Sequence, residues 1–388
     1  MAISGLYPEF DTRRGAYVSR CGRGGAPIRV AGNGAKVTAI PSPPTGGDRF
    51  AAPPGSDFEI RVDDGEKRRS YTVRCLPADF PQWRFEPVGD PSPGLFVVSF
   101  RATPREKAWV IVFDHEGVPR WWYSPETHVL WAQILSDGIV SLARSFGDGY
   151  GLDARMAHEI RSLSGDLIRL VRTRGSLTDG HELHELPNGN FLLASYAPDP
   201  RVELRTVAAW TKRRPPDRAA VVFAEIQEVG RGGRVAWRWN SRGRIALGET
   251  GRWWRSVLVN PKSSRFGETF DPVHINSIEP HGPNRLVIST RHTDAVYGID
   301  RSSGRIIWKL GGKETAKSLR VIDDPAGKLF GGPHDARIGP DGRLTILDNG
   351  KGRPRLPRVV SYRLDLARGT ATYLGQLTDP RVTSSHCC

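Results

Sequence analysis

The 388-residue sequence predicts an all-β fold, a β-propeller behind a small β-sandwich-like N-terminal domain. Three observations predict it. The chain holds 43 glycines, 30 prolines and 11 tryptophans, and few stretches space apolar residues by three and four, so short strands and tight turns are favoured over helices. Strand-like runs alternate apolar and polar side chains with the period of a half-buried strand. A turn-strand-turn-aromatic signal then recurs from Trp83 to the C-terminal region, as expected of a repeat fold.

Residues 1–82 form the predicted N-terminal β domain. Val37-Thr38-Ala39-Ile40, Phe58-Glu59-Ile60-Arg61-Val62 and Tyr71-Thr72-Val73-Arg74 alternate in the strand manner between turns such as 41–44 and Asp63-Asp64-Gly65. Two matching runs, Ala16 to Cys21 and Ser70 to Cys75, end in cysteine. Paired as neighbouring strands they would bring the two thiols within disulfide reach, and two buried free thiols fit the same pattern. Cys387-Cys388 lacks metal-ligand spacing.

Residues 83–388 form the predicted propeller. The first half of its signal is a turn leading into an apolar strand: Ser136-Asp137-Gly138, Pro187-Asn188-Gly189, Pro283-Asn284 and Pro340-Asp341-Gly342. The second half is a turn glycine with an aromatic residue four positions on: Gly117 to Trp121, Gly233 to Trp237, Gly304 to Trp308 and Gly369 to Tyr373, with Gly165 opening a degenerate copy. Copies roughly 50 to 70 residues apart suit four-stranded blades with insertions. A β-sandwich shares the alternation and is the competing fold; the repeated grammar favours the propeller. About five blades are visible. The segment from Asp379 to His386 starts a unit without continuing it, so either the ring closes with fewer blades or the chain stops before its last one.

Charge and hydropathy exclude several classes. The net charge of +14 rests mostly on arginines scattered among acids, and no nucleic-acid-binding motif accompanies it, so no nucleic-acid partner is expected and a basic surface favouring anionic small substrates is. No apolar run reaches the roughly 18 residues of a membrane span, and the N-terminus shows no signal-peptide pattern. The expectation is a cytoplasmic protein or the mature form of an exported one. The oligomeric state is left open.

The chemistry is expected on the innermost strands, whose polar residues gather at one end of a propeller axis. Three repeats open such a strand with histidine: His181 in Gly180-His181-Glu182-Leu183-His184, His274 in Val273-His274-Ile275-Asn276, and His334 in Pro333-His334-Asp335. With Asn276 and Arg291 they make a polar funnel. Three neutral imidazoles can hold zinc or iron with a water in an open position. Alternatively, one histidine is a nucleophile while the others and Arg291 bind an anionic group and protonate its leaving oxygen. Arg291 favours the second, because a guanidinium is repelled by a divalent metal and makes bidentate bonds to a sulfate or phosphate. No metal or other cofactor is therefore expected. His181-Glu182-Leu183-His184 is one residue short of the zinc-protease helix motif, and no phosphate loop, dinucleotide fingerprint or serine-hydrolase elbow is present.

Taken together and in order, these pieces resemble the arylsulfotransferases, also called arylsulfate sulfotransferases, of bacteria and fungi. The matching residues are His181-Glu182 with Leu186-Pro187-Asn188-Gly189-Asn190, His274 to Ile278, Ser289-Thr290-Arg291-His292, Val296 to Asp300, Gly304 to Gly312, and His334-Asp335-Ala336-Arg337. The resemblance implies a six-bladed propeller that moves a sulfuryl group from an aryl sulfate donor to a phenolic acceptor, without a nucleotide, by a ping-pong cycle. It implies His334 as the nucleophile that becomes sulfohistidine, with His181, His274, Asn276 and Arg291 binding sulfate oxygens and assisting proton transfer. Two other functions compete: a propeller that serves as a binding platform, and a metal-dependent lyase or oxygenase. Donor and acceptor would be chosen by loops such as Arg252-Trp253-Trp254-Arg255 and 211–216.

Overall fold

The computed structural model describes residues 2–22, 25–31, 36–40, 54–63, 65–86, 89, 93–100, 107–126, 129–144, 153–205, 207, 217–255, 257–259, 269–327 and 330–383. The expected turn at 41–44, Asp64, the segment 211–216, the terminal residues 384–388 and the side chains of Trp254 and Arg255 lie outside them. The chain divides into two compact units: Met1–Val98 with Trp109–Ser124, and Ser99–Ala108 with Pro125–Cys388. Almost all regular structure in both is β.

In the first unit, Ala16–Arg20 pairs in parallel with Arg68–Leu76, which continues antiparallel to Asp57–Asp63 and Lys36–Ile40. Phe58, Ile60, Val62, Tyr71 and Val73 project to one face and are buried, because a period of two puts alternate residues on the same side. The parallel register sets Ser19 opposite Cys75, and Cys21 and Cys75 form a disulfide with their Cα atoms 5.3 Å apart. This decides between the two cysteine states that the sequence left open. A three-stranded sheet of Leu95–Phe100, Trp109–Asp114 and Pro119–Tyr123 completes the unit.

The second unit is a series of antiparallel meanders. The first runs Val129–Ile134, Val140–Arg144, His158–Arg161, Leu167–Val171. The second runs Leu177–Glu185, Phe191–Glu203, Arg218–Val229, Val235–Asn240, with two short strands added at one end of Arg218–Val229. The third runs Ile275–Pro280, Arg285–Thr290, Ala295–Asp300, Ile306–Gly311. The fourth runs Pro333–Ile338, Arg343–Asp348, Arg358–Asp365, Thr370–Leu377, with Arg320–Ile322 added in parallel at its edge. Each turn into an apolar strand found in the sequence opens the second strand of a meander; the glycine-to-aromatic signals at Gly165, Gly233, Gly304 and Gly369 open the last, whereas Gly117 opens Pro119–Tyr123 of the three-stranded sheet in the first unit.

The meanders pack face to face in chain order. Leu135, Ile160, Leu183 and Leu193 fill the space between the first and second. Leu192, Ile226, Trp239, Ile278 and Ile288 fill that between the second and third, and Val287, Val296, Trp308, Leu344, Ile346 and Tyr362 that between the third and fourth. Adjacent residues on one strand, Leu286 and Ile288 against Val287, therefore face different cores, so the third sheet is buried on both sides. Its strand Ala295–Asp300 carries Gly298 directly across from Trp308, and a Cβ there would stand 2.1 Å from the indole nitrogen. Glycine is the residue that lets this ring lie on the neighbouring strand.

Candidate active site

The first strands of the second, third and fourth meanders lie side by side and, with the residue before Ile275 and the turn after Arg285–Thr290, bring His181, His274, Asn276, Arg291 and His334 near one another. His181 and His274 have ring centroids 5.1 Å apart, and His181 and His334 lie at 6.4 Å. All three strands are irregular where they carry the site: pairing shifts between Thr178 and Leu183, between Ile275 and Ser277, and between His334 and Arg337. Such irregularities bend a strand and re-aim its side chains, and they are common beside active sites. His274 (φ 54°) and Asp335 (φ 49°) also adopt the left-handed region, which costs a non-glycine residue energy that the surroundings must over-determine.

Crosslinks hold the strands in register. Asn276 Nδ2 donates to the Pro333 carbonyl at 2.9 Å, and the Ala336 amide donates to Ser277 Oγ at 3.0 Å, so the strand carrying His334 is gripped on both sides of that residue. Asn276 Oδ1 accepts from Ser289 Oγ. Glu182, 1% exposed, accepts from the Ile278 amide and from Arg337, and His184 Nε2 stands 3.1 Å from it. Burial pushes the Glu182 carboxyl up, but His184 and Arg337 outweigh it and hold the group at about 2, ionised.

Each central histidine has its Nδ1 engaged from the N-terminal side. His181 Nδ1 donates to Asp179 Oδ1 at 2.6 Å, and the His181 amide donates to the same oxygen. His274 Nδ1 donates to Asp271 Oδ2, with Tyr196 Oη 3.2 Å from that nitrogen. His334 Nδ1 lies 3.0 Å from the Gly332 carbonyl and 2.8 Å from Asn349 Nδ2. Behind them, His158 Nε2 donates to the Asp179 carbonyl at 3.0 Å, and His292 Nδ1 donates to the Asp271 carbonyl at 2.6 Å. His292 Nε2 then accepts from Arg291 Nη1 at 3.1 Å. The guanidinium of Arg291 lies 4.6 Å from the centre of the Trp253 ring.

His334 is 1% exposed, and its Nε2 is buried with no hydrogen-bond partner among the described residues. Burial first, then the neighbouring His181 imidazole, push His334 down to about 3, with the Gly332 carbonyl acting the other way. It is a neutral imidazole at pH 7. Burial also drives His274 well below its ordinary range and His292 to about 3, while burial and the Asp179 charge raise Asp271 to about 6. A neutral ring whose Nδ1 carries the proton presents a lone pair at Nε2, which is the requirement for a nucleophile.

The site also offers a tight group of metal-ligand atoms, in Asp271, His274 and His292, all within 4.8 Å of one another. That is a different set from the three strand histidines expected from sequence. The Arg291 guanidinium bonds to His292, one residue of the group, and so sets a positive charge beside it that disfavours a divalent ion there. Asp179, Asp271 and Asn349 were missed by sequence reasoning, and His292 was given no role although it lies in a matched segment. The signal available for the two carboxylates was an aspartate two or three residues ahead of a histidine, Asp179-Gly180-His181 and Asp271-Pro272-Val273-His274.

The site thus gathers three imidazoles, two of them backed by carboxylates, beside an arginine, groups suited to binding an anion and moving a proton. The family is given by comparison: the arylsulfotransferase (ASST) model matches residues 90–382, most of the chain, and the chain belongs to that family. The family's chemistry is sulfuryl transfer involving aryl sulfates. No curated protein sequence matches significantly. Among solved structures, a protein of unknown function from Bacteroides caccae overlays with 11% identity and a TM-score of 0.40, covering 87% of this chain and 96% of that one. Kuenenia stuttgartiensis hydrazine synthase overlays with 11% identity and a TM-score of 0.36, covering 83% and 78%. Kluyveromyces lactis Hsv2 overlays with 12% identity and a TM-score of 0.33, covering 84% and 94%. At these scores the overlays carry no argument about function.

Proposed function

We propose that the protein moves a sulfuryl group from an aryl sulfate to a phenolic acceptor through a sulfohistidine at His334. The observation that carries this reading is the His334 ring itself: buried, neutral, its Nδ1 3.0 Å from the Gly332 carbonyl and its Nε2 without a partner among the described residues. In the first half-reaction Nε2 attacks sulfur, an N–S bond forms, the aryl S–O bond breaks, and the phenolate leaves with a proton from Nε2 of His181, whose Nδ1 is backed by Asp179. In the second half the acceptor gives its proton to that imidazole and attacks sulfur, and the N–S bond breaks. Arg291 and the second Asn276 amide hydrogen serve the sulfate oxygens, where fixed donors stabilise developing charge better than reorganising water does. Asp179 and Asp271 hold the proton-carrying rings in one tautomer.

The fold belongs to the same reading. Sheets in series, each packing on the next and the inner ones buried on both faces, support a propeller over a two-sheet sandwich. We read 1–82 as a sandwich-like β domain and 83–388 as the propeller, six-bladed in the family. A metal-dependent reaction at Asp271, His274 and His292 is the competing reading.

The test mixes the protein with 4-nitrophenyl sulfate and a phenol acceptor and follows nitrophenolate release beside a His334→Ala control. Acceptor-dependent release that disappears in the variant is expected. Release that persists in His334→Ala, or that requires stoichiometric zinc or iron, overturns it.

A further inference from the structure

Outside the reacting groups, the most heavily bonded carboxylate near the site is Asp294, 5% exposed, left-handed at φ 52° and absent from the chemistry above. Its Oδ1 accepts from Trp253 Nε1 at 2.7 Å, from Arg252 Nη2 at 2.8 Å and from the Gly332 amide at 2.8 Å. Its Oδ2 accepts from Arg252 Nε at 2.5 Å and Arg353 Nη2 at 3.1 Å. Behind it, Gly311 and Gly312 press their backbone against the same turn: a Cβ on Gly311 would stand 2.7 Å from the Asp294 carbonyl oxygen, and one on Gly312 2.2 Å from that of Thr293. The Gly311-Gly312 pair of the sequence motif thus acquires a physical purpose, the close seating of the Asp294 turn.

What Asp294 holds at the far end is a carbonyl that can accept the His334 proton. Gly332 donates its N–H to Asp294 and presents its own carbonyl to His334 Nδ1. Its φ of 69° is a conformation that only an external restraint fixes in a residue so free. A second group competes for the same nitrogen. Asn349 Nδ2 stands 2.8 Å from His334 Nδ1 and 2.7 Å from the Gly332 carbonyl. The two partners demand opposite tautomers: the carbonyl needs a proton on Nδ1 and leaves the lone pair on Nε2, whereas the Asn349 N–H needs a lone pair on Nδ1 and puts the proton on Nε2.

We propose that Asp294 is a positioning residue that selects the reactive tautomer of His334 by fixing the Gly332 carbonyl against Nδ1, so that the competing Asn349 amide does not capture that nitrogen. The Arg252, Trp253 and Arg353 bonds anchor the carboxylate, so Gly332 is held from a rigid base. Asp294 touches no reacting atom; because it also holds Trp253, on which Arg291 stacks, the tautomer rather than activity alone is the deciding readout. The proposal rests on His334 as the nucleophile for its functional consequence, but the tautomer itself is measurable without any turnover.

The experiment uses the intact chain labelled with nitrogen-15 at histidine and glycine. In the unaltered protein the His334 imidazole is expected to carry its proton on Nδ1, and the Gly332 amide to be protected from exchange. A proton on Nε2, or a rapidly exchanging Gly332 amide, overturns the proposal before any variant is made. Asp294→Asn keeps the shape but turns one acceptor into a donor facing N–H groups, and it is expected to shift the His334 proton to Nε2. In the sulfuryl-transfer assay kcat should then fall by about 100-fold or more while KM for the donor moves by less than about threefold, the pattern of a lost nucleophile in a retained binding site. A merely structural role would lower the melting temperature and leave the tautomer on Nδ1, and that outcome also refutes the proposal. If the unaltered protein transfers no sulfuryl group, the sulfotransferase reading fails while the tautomer readout still decides this one.

Discussion

If Arg291 serves the sulfate as proposed, its geometry matters beyond its charge. Its guanidinium stacks on Trp253, donates to His292 and borders Gly332, where a Cβ would lie 3.4 Å from Arg291 Cγ. A planar fork can keep the ring contact while offering parallel N–H groups to two sulfate oxygens, whereas an ammonium is a single point charge on a flexible stem. Arg291→Lys should therefore reduce kcat/KM for an aryl sulfate by roughly 100-fold, equivalent to about 2 to 3 kcal/mol, with the melting temperature little changed. Steady-state kinetics beside a thermal scan checks this, and equal activity in the lysine variant would remove the bidentate role. At this scale much was legible in advance. His181, His274 and His334 come from three successive sheets and lie near one another, as the histidine that opens each repeat led the sequence to suggest, and Asn276 and Arg291 follow from their place beside His274. The carboxylates and carbonyl that set the imidazole tautomers were not legible, since Asp179-Gly180-His181 and Gly332-Pro333-His334 differ in sequence while supplying the same acceptor position from a side chain in one case and the backbone in the other.

Among the strands, the irregular pairing at the three inner strands means that the ladder alone does not hold them at the site. Glu182 and Arg337 take that role, linking the strand Leu177–Glu185 to Pro333–Ile338 and, through the Ile278 amide, to Ile275–Pro280. Removing Glu182 leaves the buried Ile278 amide without its acceptor while the half-buried Arg337 keeps Asp335 and Glu279, a loss of about 1 to 3 kcal/mol. Glu182→Ala should thus lower stability by that order and also slow transfer, because His181 is its neighbour in the chain. Glu182→Gln, which keeps an acceptor for the Ile278 amide, should recover part of the loss. Denaturant melts of the two variants test the idea, and an alanine variant as stable as the parent would show that the pin is idle. The turn grammar made strand order readable from sequence because left-handed glycines mark where strands begin, as at Gly189 and Gly304 (φ 75° and 67°). The short strands Leu258–Val259, Thr269–Phe270 and Arg320–Ile322 carry no such marks, and they attach at sheet edges by tertiary pairing that no local pattern announces.

The protein as a whole buries several imidazoles, and that choice sets its response to acid. His158 is held at about 4, and His292 and His334 at about 3, burial being the largest cause for each, against an ordinary value of 6.5 in the unfolded chain. Between those values the unfolded chain takes up protons that the folded one refuses, so stability is present above pH 6.5 and drains away as pH falls toward 3. Each group contributes on the order of a few kcal/mol over that window. Asp271 runs the other way, since its folded value of about 6 exceeds the ordinary 3.8 and its contribution weakens as pH rises between the two. Asp271 and Glu279, which burial also raises, oppose four imidazoles, since His274 too is held well below its ordinary range, and the paired Glu182, held at about 2, adds to the acid loss only at lower pH. The urea midpoint should consequently fall by about 1 M or more between pH 7 and pH 4.5. His158 is the cleanest probe, because its Nδ1 is buried without a partner among the described residues and its Nε2 binds only the Asp179 carbonyl. In His158→Gln the side-chain amide can still donate to that carbonyl but does not titrate, so the pH 7 midpoint should drop modestly while the fall toward pH 4.5 becomes shallower. A midpoint that is flat from pH 7 to pH 4.5, or a slope unchanged by His158→Gln, would show that these imidazoles are not buried in the neutral form.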